Sequence, residues 1–341
     1  MKVVFAQQQL DHDPGYFVSS GATIENPERP ERADRLLQAA LSYGLNTIAP
    51  QDCGDEVIVA VHSSRYLSFL KNIHMRWSRI DGASESVAPN VHPISRDDGY
   101  PKSAVGQVGF HIYDSSCPIS AETWMSARWS AMTAAHAARQ VLAGDDACYA
   151  LSRPPGHHAS QDLAGGFCYL NNSAIAAQQL RSKFQRVAVI DVDVHHGNGT
   201  QRIFYERDDV LTVSLHAHPE RFYPFFWGYA DEIGDGAGEG YNINRPLPRG
   251  TGDADYMRGL EDVLLRVSDF SPGALVIALG LDAHEEDPFR GMSITTDGFA
   301  GIGKILAGLD LPTVIVQEGG YLSDALGRNL VSFLRGFEKS H

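Results

Sequence analysis

The run Val187-Ala188-Val189-Ile190 leads directly into Asp191-Val192-Asp193-Val194-His195-His196-Gly197-Asn198-Gly199. Four such apolar residues in succession read as a strand buried on both faces of a parallel sheet, where a carboxylate finds no water. Yet Asp191, Asp193 and His195 stand at i, i+2 and i+4, a spacing that puts all three side chains on one face of an extended strand. Two acids and an imidazole at the carboxyl end of a buried strand need a compensating charge. A divalent cation supplies it; a salt-bridged cluster without an ion is the alternative.

The same alternation of apolar runs and helical patterns recurs along the chain, the signature of a parallel sheet covered by helices on both faces. Strands are expected at Val3–Ala6, Val57–Val61, Ala147–Leu151, Arg186–Val194, Val210–Leu215, Ala274–Leu281 and Thr313–Gln317. Helices are expected at Pro30–Ser42, with Pro30 in the first turn and Gly44 as the C-cap, and at Ala121–Ala143. Further helices are expected at Ser173–Lys183, Asp253–Asp269, Asp297–Leu309 and Leu322–Phe337. No linker or repeat interrupts this rhythm, so residues 1–341 are expected to form one α/β domain. The exception is Ile80–Pro118, a long, weakly periodic stretch whose length points to a functional or interface loop.

Charge narrows the function classes. The 341 residues carry a formal charge of −14, which disfavours nucleic acid as a partner and favours cationic ligands. No apolar run approaches membrane-spanning length, and the N-terminus lacks a signal-peptide pattern. The four cysteines, Cys53, Cys117, Cys148 and Cys168, show no CxxC pairing and are expected to be reduced thiols in the cytoplasm.

Three more motifs sit at expected strand ends, where ligands and catalytic groups gather in open α/β sheets. In Arg153-Pro154-Pro155-Gly156-His157-His158, a rigid turn presents two adjacent histidines, which suit acid–base chemistry. In Leu279-Gly280-Leu281-Asp282, a strand ends on an aspartate able to complete a three-ligand set with Asp193 and His195. In Glu318-Gly319-Gly320-Tyr321, paired glycines permit close approach of a ligand and Tyr321 projects a phenol at the same edge.

These motifs, together with Val61-His62-Ser63 and Asn26-Pro27-Glu28-Arg29-Pro30-Glu31-Arg32, resemble the arginase–deacetylase superfamily. The closest likeness is to its zinc-dependent deacetylases, which include histone deacetylases and bacterial acetylpolyamine amidohydrolases. The resemblance runs from about Glu25 to Tyr321, and the insertion with Phe225-Phe226-Trp227-Gly228-Tyr229-Ala230-Asp231-Glu232 is most similar to the acetylpolyamine branch. It implies a single-domain fold around an eight-stranded, mostly parallel sheet. It also implies a homodimer in which the insertion, about residues 80–118, takes part and narrows the active-site channel.

Position by position, the resemblance makes Asp193, His195 and Asp282 the ligands of one Zn2+ per subunit. Fe2+ or Co2+ could share the same ligands. It makes His158 the general base, His157 its electrostatic partner and Tyr321 the phenol that stabilises the oxyanion. Asp191 and Asn198 become the hydrogen-bond acceptors behind His157 and His158, a carboxylate and a neutral amide that should set the two imidazoles apart and favour protonation of His157. A structural K+ is implied at the Ser214 hydroxyl and the carbonyls of Asp191, Asp193, His195 and Leu215. Gly166, Phe167 and Tyr223 become the walls of a narrow tunnel, with Phe289 at its gate.

One departure concerns the rim. Where the family places an acid before Cys117-Pro118, this chain has Ser115-Ser116, with Asp114 two residues before Ser116. Asp114 and Ser116 are therefore the rim candidates, and Asp97, Asp98, Glu285 and Glu286 are other acids that could face a cation. The expected activity is removal of acetyl or longer acyl groups from a small cationic polyamine. The alternatives are an acyl-lysine protein deacetylase, an arginase-type hydrolase, disfavoured because a two-manganese site wants more acidic ligands, and a non-catalytic polyamine-binding protein.

Overall fold

Val187 and Val189 point to one face of the central sheet and Ala188 and Ile190 to the other, and all four are buried. The computed structural model, which describes residues 1–97 and 99–338, therefore has a dry layer on each side of its strands. Eight strands pair in the order Asn46–Ile48, Lys2–Val4, Ala147–Ala150, Thr313–Gln317, Ala274–Leu279, Val187–Asp191, Val210–Ala217, Asn242–Leu247. Every pairing in this sheet is parallel. On one face Val187, Val189, Val276 and Val316 pack beneath Ser64–Trp77, Thr123–Leu142 and Asn172–Leu180. On the other, Ala188, Ile190, Ile277 and Ile315 pack beneath Pro30–Tyr43, Asp253–Phe270, Thr296–Ala307 and Leu326–Phe337. This is a single α/β domain with helices on both faces.

Three expectations about elements need correction. Val57–Val61 is not a strand: Glu56–Val59 forms one helical turn, with the Asp55 carbonyl accepting from the Ile58 and Val59 amides. The turn buries Val57, Ile58 and Val61 together and leaves Val59 48% exposed, a helical partition that an apolar run can satisfy as well as a strand can. Both sheet edges were unexpected, because Asn46–Ile48 and Asn242–Leu247 are short or polar. Pro246 fits the latter since an outer strand need not donate on its free side. The strand expected at Arg186–Val194 ends at Asp191.

The insertion is not structureless. Its segment Ala104–His111 is helical, with the Ser103 hydroxyl accepting from the Gly106 amide, and Val87 bridges Ile119 across its base. Asp98 lies outside the described residues.

A parallel sheet brings all strand carboxyl ends to one side, so Arg153–His158, Asp191–Asn198, Asp282 and Glu318–Tyr321 meet there although they are far apart in sequence. The sheet's stability rests on its dry faces. Ile277→Ala, at a fully buried central position, should lower the unfolding free energy by about 2–5 kcal/mol in denaturant titration.

Candidate metal-dependent active site

Beyond Asp191 the chain leaves the sheet in two tight side-chain-to-backbone turns. Asp191 Oδ1 accepts from the Asp193 amide (3.1 Å), and Asp193 Oδ1 accepts from the His195 amide (2.9 Å). These turns, rather than a straight strand, bring the acids and the imidazole together. Asp282 joins them from the neighbouring strand, its Oδ1 accepting from the Val194 amide at 3.1 Å.

The outcome is a cluster in which one potential ligand atom each from Asp193, His195 and Asp282 lies within 4.8 Å of the others, all buried. His195 Nδ1 stands 3.1 Å from Asp193 Oδ1 and 3.1 Å from Asp282 Oδ2. Among the described residues, the only ion-pair partners of these two aspartates are imidazoles. Burial, with the Asp193 charge beside it, pushes the Asp282 carboxyl up to about 6. Burial works against a charge on His195, but hydrogen bonds to the two carboxylates outweigh it and push the imidazole up to about 9. Two oxygens and a nitrogen converging within one buried cluster are a donor set suited to a divalent cation, which would displace any proton held there. Gly319 admits the arrangement, because a Cβ there would lie 2.2 Å from Asp282 Oδ2 and 2.5 Å from Asp193 Oδ2. Its amide donates to Asp193 Oδ2 at 2.7 Å.

The paired histidines lie beside this cluster, their ring centroids 4.0 Å apart. His157 Nδ1 meets Asp191 Oδ2 at 2.8 Å, and His158 Nδ1 meets Asn198 Oδ1 at 2.7 Å. Their proton affinities diverge. Burial lowers that of His157, but Asp191 and Asp193 prevail and push it up to about 10. Burial and the neighbouring His157 and His195 hold His158 well below the ordinary imidazole range. One imidazole is thus suited to keep a proton and the other to accept one.

Tyr321 is 4% exposed, and its amide donates to Asp287 Oδ2 at 3.1 Å. Arg32 lies over its ring, 4.7 Å from the centroid, and donates to the carbonyls of Glu318 and Gly320 on the same loop. A cavity of about 450 Å³ leads to these groups between Phe17, Phe167, Tyr223 and Phe289. Phe167 holds its wall position at φ +68°, a backbone conformation that costs free energy and clusters at functional sites.

Gly166, Asp114 and Ser116 line the same cavity. Asp114, however, is not a free rim acid. It is half-buried and accepts from the Tyr223 hydroxyl and from the amides of Gly166 and Ser116. Asp97, Glu285 and Glu286 are exposed and do not line the cavity. Ser214 pairs with Asp191 across adjacent strands, and its hydroxyl lies 2.8 Å from His216 Nδ1. Leu215 follows Ser214 on that strand, fully buried.

Sequence reasoning gave no role to four groups that build this site. Glu318 accepts from the amides of Gly156 (2.6 Å) and His157 (3.0 Å) and from the Ser173 hydroxyl (2.7 Å), pinning the histidine turn. Arg32 and Asp287 hold the Tyr321 loop, and Glu28 joins Arg32 to Arg153 at 2.7 and 2.9 Å. Glu28 and Arg32 fall in a motif noted above, and Glu318 ends an apolar strand, so their positions carried a signal although their partners did not.

Residues 24–337 of this chain match the histone deacetylase domain family. An acetylpolyamine amidohydrolase of Burkholderia pseudomallei is 45% identical over 99% of this chain and 98% of its own length. Acetylpolyamine amidohydrolase 1 of Pseudomonas aeruginosa is 43% identical over 91% of each chain. The crystal structure of acetylpolyamine aminohydrolase from Burkholderia pseudomallei superposes with a TM-score of 0.96, covering 99% of this chain and 98% of that one. The chain belongs to the histone deacetylase family. Within it, it is a deacetylase enzyme.

The divergence of the two histidines has a measurable consequence in metal-free protein. His157, raised above its unfolded value near 6.5, contributes stability that is complete below that value and is lost as pH rises toward about 10. Asp191→Asn should flatten this decline in unfolding free energy between pH 7 and 10, and 15N spectra of the imidazoles should show His157 deprotonating at lower pH.

Proposed function

We propose that this enzyme hydrolyses the amide of acylated polyamines, releasing the carboxylate and the free amine. The observation that carries the reading is the convergence of Asp193, His195 and Asp282 beside a histidine pair at the floor of an aromatic-walled cavity. Those three residues would hold a divalent cation, Zn2+ in this reading, with Fe2+ and Co2+ compatible with the same donors. When bound, the ion polarises the acyl carbonyl and acidifies an attacking water.

The chain's own residues do the rest. His158, kept neutral by burial, accepts the proton of the attacking water and delivers it to the amine nitrogen as the C–N bond breaks. His157 keeps a positive charge close to the developing anion, held by Asp191. Tyr321 donates its hydroxyl proton in a hydrogen bond to the carbonyl oxygen as charge accumulates there. Phe167, Tyr223 and Phe289 exclude water and admit a slim acyl chain.

The polyamine side of the proposal is supported by the names and near full-length similarity of the relatives and by the formal charge of −14. An acyl-lysine side chain would pass the same walls, so the comparison of substrates is the discriminating test. The proposal extends to a homodimer engaging the insertion, where Val91 and Ile94 are exposed, and to a K+ site at Ser214 with the carbonyls of Asp191, Asp193, His195 and Leu215. Nucleic acid and membrane are not proposed partners; among the described residues no helix is long and apolar enough to cross a membrane. The four cysteines are free and buried, which accords with a reducing compartment, and the cytoplasm is the proposed location.

Asp282→Ala should lose metal and activity together, as measured by elemental analysis and turnover; full metal content with parental activity would contradict the ligand set. His158→Ala and Tyr321→Phe should keep the metal and lose on the order of 10²-fold or more in kcat. In a panel of acylated polyamines and acyl-lysine peptides, kcat/KM should favour the polyamines, and a preference for peptide would move the assignment to protein deacetylation.

A further inference from the structure

Asp114 accepts every hydrogen bond recorded for it. Oδ1 takes the Ser116 amide at 2.8 Å; Oδ2 takes the Gly166 amide at 2.9 Å and the Tyr223 hydroxyl at 2.6 Å. Backbone N–H groups facing both oxygens favour the ionised carboxylate, which has no proton to give and acts only as an acceptor. The Tyr223 proton therefore points at Asp114, and the Tyr223 oxygen is left to accept from the Tyr113 hydroxyl 2.7 Å away. Tyr113, its proton so committed, accepts from Asn198 Nδ2 at 3.2 Å. That contact turns the amide oxygen of Asn198 toward His158 Nδ1, at 2.7 Å.

We infer that Asp114 is a positioning residue that sets the tautomer of His158 through Tyr223, Tyr113 and Asn198. This rests on the reading of His158 as the base. An amide oxygen can only accept, so Nδ1 must carry the imidazole proton and Nε2 must present the lone pair.

The two histidines differ here in a way that requires the chain. Behind His157 stands the carboxylate of Asp191, which accepts whichever way it rotates. Behind His158 stands an amide, which after a half-turn would offer N–H instead of C=O and favour the opposite tautomer. With Nε2 protonated, His158 could not take a proton from water. A neutral acceptor spares His158 a second carboxylate that would raise its proton affinity, but the amide must be oriented by something else. The hydrogen-bonded line from Asp114 does so, each bond fixing the direction of the next.

Packing agrees with a built feature. Gly166, at φ +55°, leaves room for this line, because a Cβ there would lie 2.3 Å from His158 Cδ2 and 2.9 Å from the Tyr223 hydroxyl. The same residue donates the amide that holds Asp114.

Tyr113→Phe and Tyr223→Phe each delete one hydroxyl and keep the ring. Each should lower kcat for an acetylated polyamine by about 10- to 100-fold with metal content unchanged, and Tyr113→Phe should leave KM unchanged. The double variant should be no slower than the slower single one, since a line already cut cannot be cut again. In 15N spectra of the metal-loaded protein, His158 should change from Nδ1–H alone to a mixture of tautomers. Parental kcat and an unchanged Nδ1–H signal in Tyr113→Phe, with His158→Ala inactive, would overturn the inference, as would losses that multiply in the double variant. Activity retained by His158→Ala would instead remove the base assignment on which the inference stands.

Discussion

Two carboxylates, Asp193 and Asp282, face each other in a fully buried site, and among the described residues imidazoles are their ion-pair partners. At 4 Å, two like charges repel by about 4 kcal/mol even at an effective dielectric constant of 20. Something cationic must offset such a feature, and without metal the His195 imidazole, pushed up to about 9 by the two carboxylates, is suited to that part. The parallel sheet delivers both acids to the same edge from adjacent strands, and the surrounding loops keep them there. The rest of the active end is arranged around this pair.

That arrangement is built largely from ordinary hydrogen bonds made by buried charged groups. Glu28 ties Arg32 to Arg153; Arg32 holds the carbonyls of the Tyr321 loop; Glu318 pins the turn carrying His157 and His158. Breaking one partner of such a network strands the other in a dry interior, which is far more costly than the net strength of any one bond. His157, His158 and Tyr321 therefore sit on loops tied down by buried hydrogen bonds. Aromatic walls then close the approach, and the charge of the whole molecule favours cationic guests.

Much of this was legible in the sequence because the signals are local. The apolar run Val187–Ile190 announces a doubly covered strand, and Asp193, His195 and Asp282 announce themselves by standing at strand ends where acids are costly. Parallel topology followed from the alternation of strands and helices. What was not legible is non-local. Asn242–Leu247 shows no apolar run because an edge strand is half solvated, and Val57–Val61 shows one although it belongs to a helical turn. Asp114 reads as a rim acid next to Ser115-Ser116; its partner Tyr223 is more than a hundred residues away, so its commitment to the tunnel wall is invisible until the chain folds. The family resemblance implied roles for His157, His158 and Tyr321, whereas the partners of Glu318 and Asp287 are visible only in the folded chain.

Crystals of the purified enzyme, measured on both sides of the zinc absorption edge, test directly whether one divalent cation sits among Asp193, His195 and Asp282. The expected result is a single strong anomalous peak per subunit within bonding distance of all three side chains. A peak at His157, Cys168 and Glu318 instead, the second such buried group among the described residues, or an active enzyme with no metal of any kind at Asp193, His195 and Asp282, would contradict it.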